Sequence, residues 1–222
     1  MNQEEGMIGR FVGGMIRRST RARLRNLWWN PPQQEFAPPV IFYANHHGWL
    51  DGYLMFHAVT KLGLRSLDWI EEFDAFPLFA KVGGMRFARN DAMDRAKTIR
   101  RTIRLMRSEK RSLVLFPEGV LHRPPGLLPF QPTLDLMARS VPGVSLVPVA
   151  ILYEESMHER PEAWLGFGEP HDFVSLEDAQ VRVESGLADL RQKIADDFSF
   201  PVLATGTADV NERWDMRRMK RP

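Results

Sequence analysis

Two histidines and a carboxylate stand where an apolar run stops. The run Val40-Ile-Phe-Tyr-Ala44 ends at Asn45, His46 and His47, and Asp51 follows within a turn or so. An imidazole titrates near neutral pH. A carboxylate that accepts one ring N–H fixes its tautomer and turns it into a general base with an orienting partner. Spacing alone leaves two pairs open. His47 and Asp51 are four apart and would share one face of a helix. His46 and Asp51 are five apart, which suits a histidine on a strand-to-helix turn with the aspartate on the first helical turn. A plainer reading has Asn45 capping a helix beside ordinary surface histidines.

Two more polar clusters end apolar segments: Arg89 after Met85–Ala88, and Pro117-Glu118-Gly119 after Ser112–Phe116. Ligands in open α/β sheets bind beyond the carboxyl ends of the strands. Three clusters at comparable strand ends therefore point to one site. His46, His47, Asp51, Glu118 and His122 have the residue types of a zinc or iron site, but no recognised ligand spacing joins them, and no bound metal is expected.

The elements that must position these residues follow from periodicity. Val40–Ala44, Ser66–Ile70, Met85–Ala88, Ser112–Phe116, Ser145–Leu152 and Trp164–Phe167 read as strands. Helices are predicted over Trp49–Leu62, from a cap at Asn90 or Asp91 along the stripe Ala92, Ala96, Ile99, Ile103 and Met106, over Leu134–Arg139, and from Ser175 to about Phe198. Ser175 and Asp178 are placed like a capping box. The alternation predicts an α/β fold: a mixed, largely parallel sheet flanked by helices. The cationic face of the second helix, Arg95 to Arg107, reads as solvated.

Residues 7–29 read as a basic amphipathic helix, with Met7, Ile8, Phe11, Val12, Met15, Ile16 and the Trp28–Trp29 pair against arginines. Such a helix lies in a lipid headgroup layer or packs on its own domain. The division expected is a membrane-surface helix over 1–30 and a domain over 31–222, joined through Pro31, Pro32, Pro38 and Pro39. The first 29 residues carry six arginines against two glutamates, and the basic tail Arg217–Arg221 carries no acid. Both ends would attract anionic lipid. No nucleic-acid reader motif accompanies them. The chain has no cysteine, which excludes disulfides, thiolate metal sites and a cysteine nucleophile. No apolar run approaches the ~18 residues of a membrane span, and Glu4 and Glu5 stand where a signal peptide would be positive. The expected place is the cytoplasm, at the inner face of the cell membrane.

The stretch Asn45-His-His-Gly-Trp-Leu-Asp51 resembles the Asn-His-x-Ser-x-x-Asp motif of the glycerolipid acyltransferase superfamily, which includes the 1-acylglycerol-3-phosphate acyltransferases. Gly83 to Arg89 looks like the glycine-to-arginine motif of that superfamily. Phe116-Pro-Glu-Gly119 looks like the start of its Phe-Pro-Glu-Gly-Thr-Arg-Ser motif, and Val147-Pro-Val-Ala150 resembles its Val-Pro-Val motif. The four stand in the family's order across roughly residues 38–155.

What the resemblance implies is an O-acyltransferase with His46 as general base and Asp51 as its partner. Arg89 would bind phosphate, and Glu118 and Gly119 would shape the acceptor site. The donor would be acyl-CoA or acyl carrier protein, used as a substrate, with no cofactor. Three departures are visible. Gly48 replaces the serine. Val120-Leu121-His122 replaces Thr-Arg-Ser, with Arg123 as a displaced stand-in. Gln131 and Thr133 replace the lysine and glycine of a Phe-Lys-x-Gly segment. Losing positive charge suggests an acceptor less charged than lysophosphatidate: a lysophospholipid with another headgroup, a glycolipid or a carotenoid glycoside. A thioesterase and a non-enzymatic lipid-surface module are the alternative readings.

Overall fold

The computed structural model describes residues 6–155 and 157–214. The features expected at Glu4, Glu5 and Arg217–Arg221 lie outside the described residues. Eight strands form one sheet in the order β4-β3-β5-β2-β6-β7-β1-β8. They are β1 (Asn26–Asn30), β2 (Val40–Ala44), β3 (Ser66–Ile70), β4 (Gly84–Arg86), β5 (Ser112–Leu115), β6 (Ser145–Glu154), β7 (Glu162–Phe167) and β8 (Val202–Thr205). All pairings are parallel except β6 with β7 and β1 with β8. The expected mixed, largely parallel sheet is therefore observed.

Helices cover both faces: α1 (Gly6–Arg23), α2 (Asp51–Lys61), α3 (Ala92–Glu109), α4 (Thr133–Ser140), α5 (Leu176–Ala195) and the short α6 (Val210–Arg213). The alternation of side chains along a strand sorts the core into two layers. Ile41 and Tyr43 of β2 join Leu113, Leu115 and Leu146 on the face that receives Met106 of α3, Leu134 of α4 and Leu187 of α5. Val40, Phe42 and Ala44 join Val114, Val147 and Val149 against Leu54, Met55 and Ala58 of α2. Because β2 is central and buried on both faces, its five residues are all apolar.

Two sequence expectations need correction. The N-terminal helix stops at Arg23, and Leu27, Trp28 and Trp29 belong to β1, inside the sheet. Its burial alternates, Leu27 and Trp29 inward, in a strand only five residues long. Pairing with β7, and a bond from the Trp28 ring N–H to Glu162 (2.9 Å), override the helical reading. The second correction concerns α3. Its buried stripe is Thr98, Thr102 and Met106, with Ile99 and Ile103 only partly buried. Threonines are tolerated there because Thr98 donates to the Arg86 carbonyl (2.7 Å) and Thr102 to the Thr98 carbonyl (2.9 Å). Asp91 caps this helix by accepting from the Asp94 N–H. Lys97, Arg100, Arg101, Arg104 and Arg107 face solvent.

Helix α1 packs on its own domain. Val12 and Ile16 are buried against Phe56 of α2 and Val82 of the 3-10 turn Pro77–Val82. Met7, Ile8 and Phe11 remain exposed on the same helix.

Candidate functional site

Three neighbouring parallel strands, β5, β2 and β6, end at the same edge of the sheet. Their ends deliver Glu118, His46 and Tyr153 to one place. Asn45 locks the two inner strands together. Its amide donates to the Ile151 carbonyl (2.9 Å) and its carbonyl oxygen accepts from the Ile151 N–H (2.8 Å). Asn45 is fully buried, so it clamps the strand end and does not cap α2, whose N-terminal position, Leu50, makes no side-chain capping bond.

Of the two histidines, His46 is the one bonded to Asp51. His46 Nδ1–H donates to Asp51 Oδ2 at 2.9 Å. The same oxygen accepts the Gly48 N–H (2.9 Å), and Oδ1 accepts the Tyr153 hydroxyl at 2.6 Å. Asp51 is fully buried, so these three donors replace its water. With the proton on Nδ1, Nε2 of His46 carries the lone pair that can take a proton. The ring is stacked on Phe116 at 4.4 Å and is a quarter exposed. His47 turns away. Its Nε2–H donates to the Gly126 carbonyl (3.0 Å), and its Nδ1 accepts from the Asn45 amide (3.1 Å). Burial pushes the His47 imidazole below its usual value.

Sequence reasoning missed Tyr153. Burial, reinforced by the Asp51 carboxylate, pushes its phenol far up, so it stays protonated and donates. It also explains the departure at Gly48. A Cβ there would sit 2.4 Å from the Tyr153 ring. Any side chain at position 48 would collide with that ring unless one of them moved.

Glu118 is buried and organises the loops. Oε1 accepts the His46 N–H (2.7 Å), Oε2 accepts the Leu128 N–H (2.6 Å), and the His122 ring bonds to Oε2 as well. His47, Glu118 and His122 bring their ligand-type atoms within 4.8 Å of one another. Hydrogen bonds already engage all three side chains, so the cluster acts as a clamp between the two loops. Gly119 completes the turn after β5, its N–H donating to the Phe116 carbonyl at 3.0 Å. Arg89 is exposed on the loop after β4, and Arg123 is exposed beyond His122.

Asp68 of β3 is a second carboxyl near the pair that sequence reasoning overlooked. It lies against Gly52, at the start of α2: a Cβ on that glycine would be 3.2 Å from Asp68 Oδ2. Burial pushes its carboxyl up to about 7, with the charge of His46 drawing it partly back. The unfolded chain ionises this group in the ordinary carboxylate range, well below 7. Stability is therefore greatest below that range and is lost as pH rises towards 7. Asp68→Asn should leave the melting temperature nearly unchanged at pH 4. At pH 8 it should raise stability by about 2 kcal/mol, or about 5 °C. Thermal melts at both pH values check this, and equal effects at both would contradict it.

The acyltransferase family model matches residues 16–152, more than half of the chain. The chain belongs to the acyltransferase family. Among similar proteins, the 1-acyl-sn-glycerol-3-phosphate acyltransferase of Escherichia coli (strain K12) is 30% identical over 125 residues, 54% of this chain and 50% of that protein. The Haemophilus influenzae protein of the same name is 28% identical over 123 residues, with the same coverage. The chain thus spans about half the length of the curated relatives it matches. The crystal structure of the 1-acyl-sn-glycerophosphate (LPA) acyltransferase PlsC from Thermotoga maritima shares the fold. It has a TM-score of 0.59 and 18% identity, covering 82% of this chain and 81% of that one. The matched span contains His46, Asp51, Arg89 and Glu118, and it reaches Leu152, one residue short of Tyr153.

Proposed function

We propose that this chain moves an acyl group from a soluble thioester, acyl-CoA or acyl carrier protein, to a hydroxyl of a lipid acceptor. His46 Nε2 takes the proton of the acceptor hydroxyl. The oxygen attacks the thioester carbonyl carbon, the C–S bond breaks, and the departing thiolate recovers the proton from His46. Asp51 holds the ring and stabilises the imidazolium that forms. The developing oxyanion is assigned to backbone N–H groups near the start of α2 other than those of Gly48 and Asp51, which are already bonded. The observation that carries this reading is the bond from His46 to a fully buried Asp51 that has two further donors. A recess of about 440 Å3, lined by Arg23, Leu24, Trp49, Leu50, Tyr153 and Pro161, adjoins Tyr153, which bonds to Asp51, and offers largely apolar walls for an acyl chain.

The acceptor is read as less anionic than lysophosphatidate. Leu121 and Gln131 stand where arginine and lysine are usual, and Arg89 and Arg123 are exposed. A lysophospholipid with another headgroup or a glycosylated lipid suits that lower positive charge. Acyl transfer from radiolabelled acyl-CoA or acyl carrier protein to lysophosphatidate and to a glycosylated lipid tests both levels. Label on the glycosylated lipid supports the reading. Label on lysophosphatidate alone removes the acceptor assignment, and release of free fatty acid alone makes the chain a thioesterase.

The place of work proposed is the inner membrane surface. Among the described residues no helix is long and apolar enough to cross a membrane. Met7 and Phe11 are 80% and 64% exposed on α1, a helix with five arginines and no acid. Inserting them adds apolar burial to electrostatic attraction. Phe11→Glu should reduce co-sedimentation with vesicles containing phosphatidylglycerol at least fivefold without moving the melting temperature. Unchanged sedimentation would remove α1 from the membrane contact.

A further inference from the structure

A cavity of about 610 Å3 lies between the C-terminal half of α1, the middle of α2 and the edge strand β8. It is larger than the recess beside Tyr153, and none of its lining residues belongs to the loops around His46. Arg17, Arg18 and Arg21, from successive turns of α1, line one side. Leu27 of β1 and Leu203 of β8 form an apolar wall, and His57 of α2 contributes an imidazole. His57 stands six residues along α2 from Asp51, about 9 Å along the helix axis.

Backbone bonds hold the end of this cavity shut. The Gly206 N–H donates to the Arg25 carbonyl (3.1 Å) and the Thr207 N–H to the Leu24 carbonyl (2.9 Å). A Cβ at position 206 would fall 1.9 Å from the Leu24 oxygen, so the approach requires glycine.

Two observations point to a ligand. First, the charge is one-sided. Among the described residues no carboxylate lines the cavity, and α1 carries no acid from Gly6 to Arg23. Second, His57 Nε2 is buried and has no hydrogen-bond partner. An unmet buried polar atom costs about 1–3 kcal/mol and is rare in folded proteins. Burial, with the Arg17 charge adding to it, pushes His57 down to about 4, so the ring offers a hydrogen bond and no charge of its own.

We infer that this cavity binds a phosphate-bearing anion, with the guanidiniums of Arg18 and Arg21 on its oxygens and the His57 ring N–H donating beside them. Guanidinium forks match phosphate geometry and hold it with charge-assisted bonds. A phosphate fills only a fraction of the space. The rest, along Leu27 and Leu203, suits a small alcohol esterified to it, such as glycerol. The same chemistry is presented by a soluble phosphate ester and by a phospholipid headgroup. The inference does not rest on acyl transfer and stands or falls separately.

The test uses the full chain with isotope-labelled histidine, the His57 ring signals being assigned through His57→Gln. One arm titrates sn-glycerol 3-phosphate, the other dihexanoylphosphatidylglycerol below its micelle concentration. A saturable shift of the His57 signals with half-saturation below about 1 mM is expected in at least one arm. The double variant Arg18→Gln/Arg21→Gln should weaken that binding at least tenfold. Response to glycerol phosphate identifies a soluble ester as sufficient, and response to the lipid alone identifies a headgroup. Unmoved His57 signals in both arms, or equal affinity in the double variant, overturn the inference.

Discussion

His46→Ala should lower the rate of acyl transfer by about 10³-fold, within the range that a positioned general base contributes. His47→Ala should leave kcat within a factor of about three, because its ring bonds to Gly126 and Asn45 and makes no bond to Asp51. The two side chains are chain neighbours of the same type, so the pair of variants separates chemistry from local packing. Initial rates with a saturating acyl thioester and the acceptor identified from a lipid extract measure both. The His46 variant should still fold, since its backbone N–H, which Glu118 holds, is retained, but it should lose about 1–3 kcal/mol of stability because Asp51 loses one of its three donors. Equal losses in the two variants would defeat the assignment of His46 as base.

The second large effect concerns Gly48 and Tyr153. Tyr153→Phe removes the donor to Oδ1 of a fully buried carboxylate. A hydrogen bond to a charged group is worth about 1.5–3 kcal/mol, so kcat should fall about 10- to 100-fold with little change in KM. Gly48→Ser pushes a Cβ into the Tyr153 ring and should cost about 1–3 kcal/mol of stability together with most activity. If the clash is the cause, Tyr153→Ala should make Gly48→Ser less harmful, and the double variant should melt above the sum of the two single losses. Strictly additive melting temperatures would show that the two positions do not communicate.

That pair also shows what the linear sequence could and could not reveal. His46, Asp51 and Glu118 were legible because buried strands stop abruptly at polar residues, and parallel neighbours must bring those stops together. Tyr153 was not legible. It stands 102 positions from Asp51, and its role exists only through the register of β2 with β6. Read alone, it is an aromatic residue near a strand end. At Gly48 the sequence shows only that a serine is replaced, whereas the Tyr153 ring packed against it leaves no room for a Cβ. Arg89 and Arg123 show the opposite limit: their motif positions were readable, but their exposure depends on how the loops turn. Strand β1 was hidden because arginines at helical spacing run up to its edge, and because its two partners are distant in sequence.

The place of β1 between β7 and β8 bears on how the protein is made. It is the first strand in the chain order, yet both its neighbours are the last two. On the ribosome, α1 and β1 therefore emerge long before anything can pair with them. At ordinary translation rates the roughly 175 residues separating β1 from the end of β8 take about 10–35 s to add. For that interval the two tryptophans of β1 and the apolar side of α1 have no sheet edge to join. A nascent chain in this state is the form most exposed to chaperones and to nearby lipid, and sheet closure around β1 is the step that ends it.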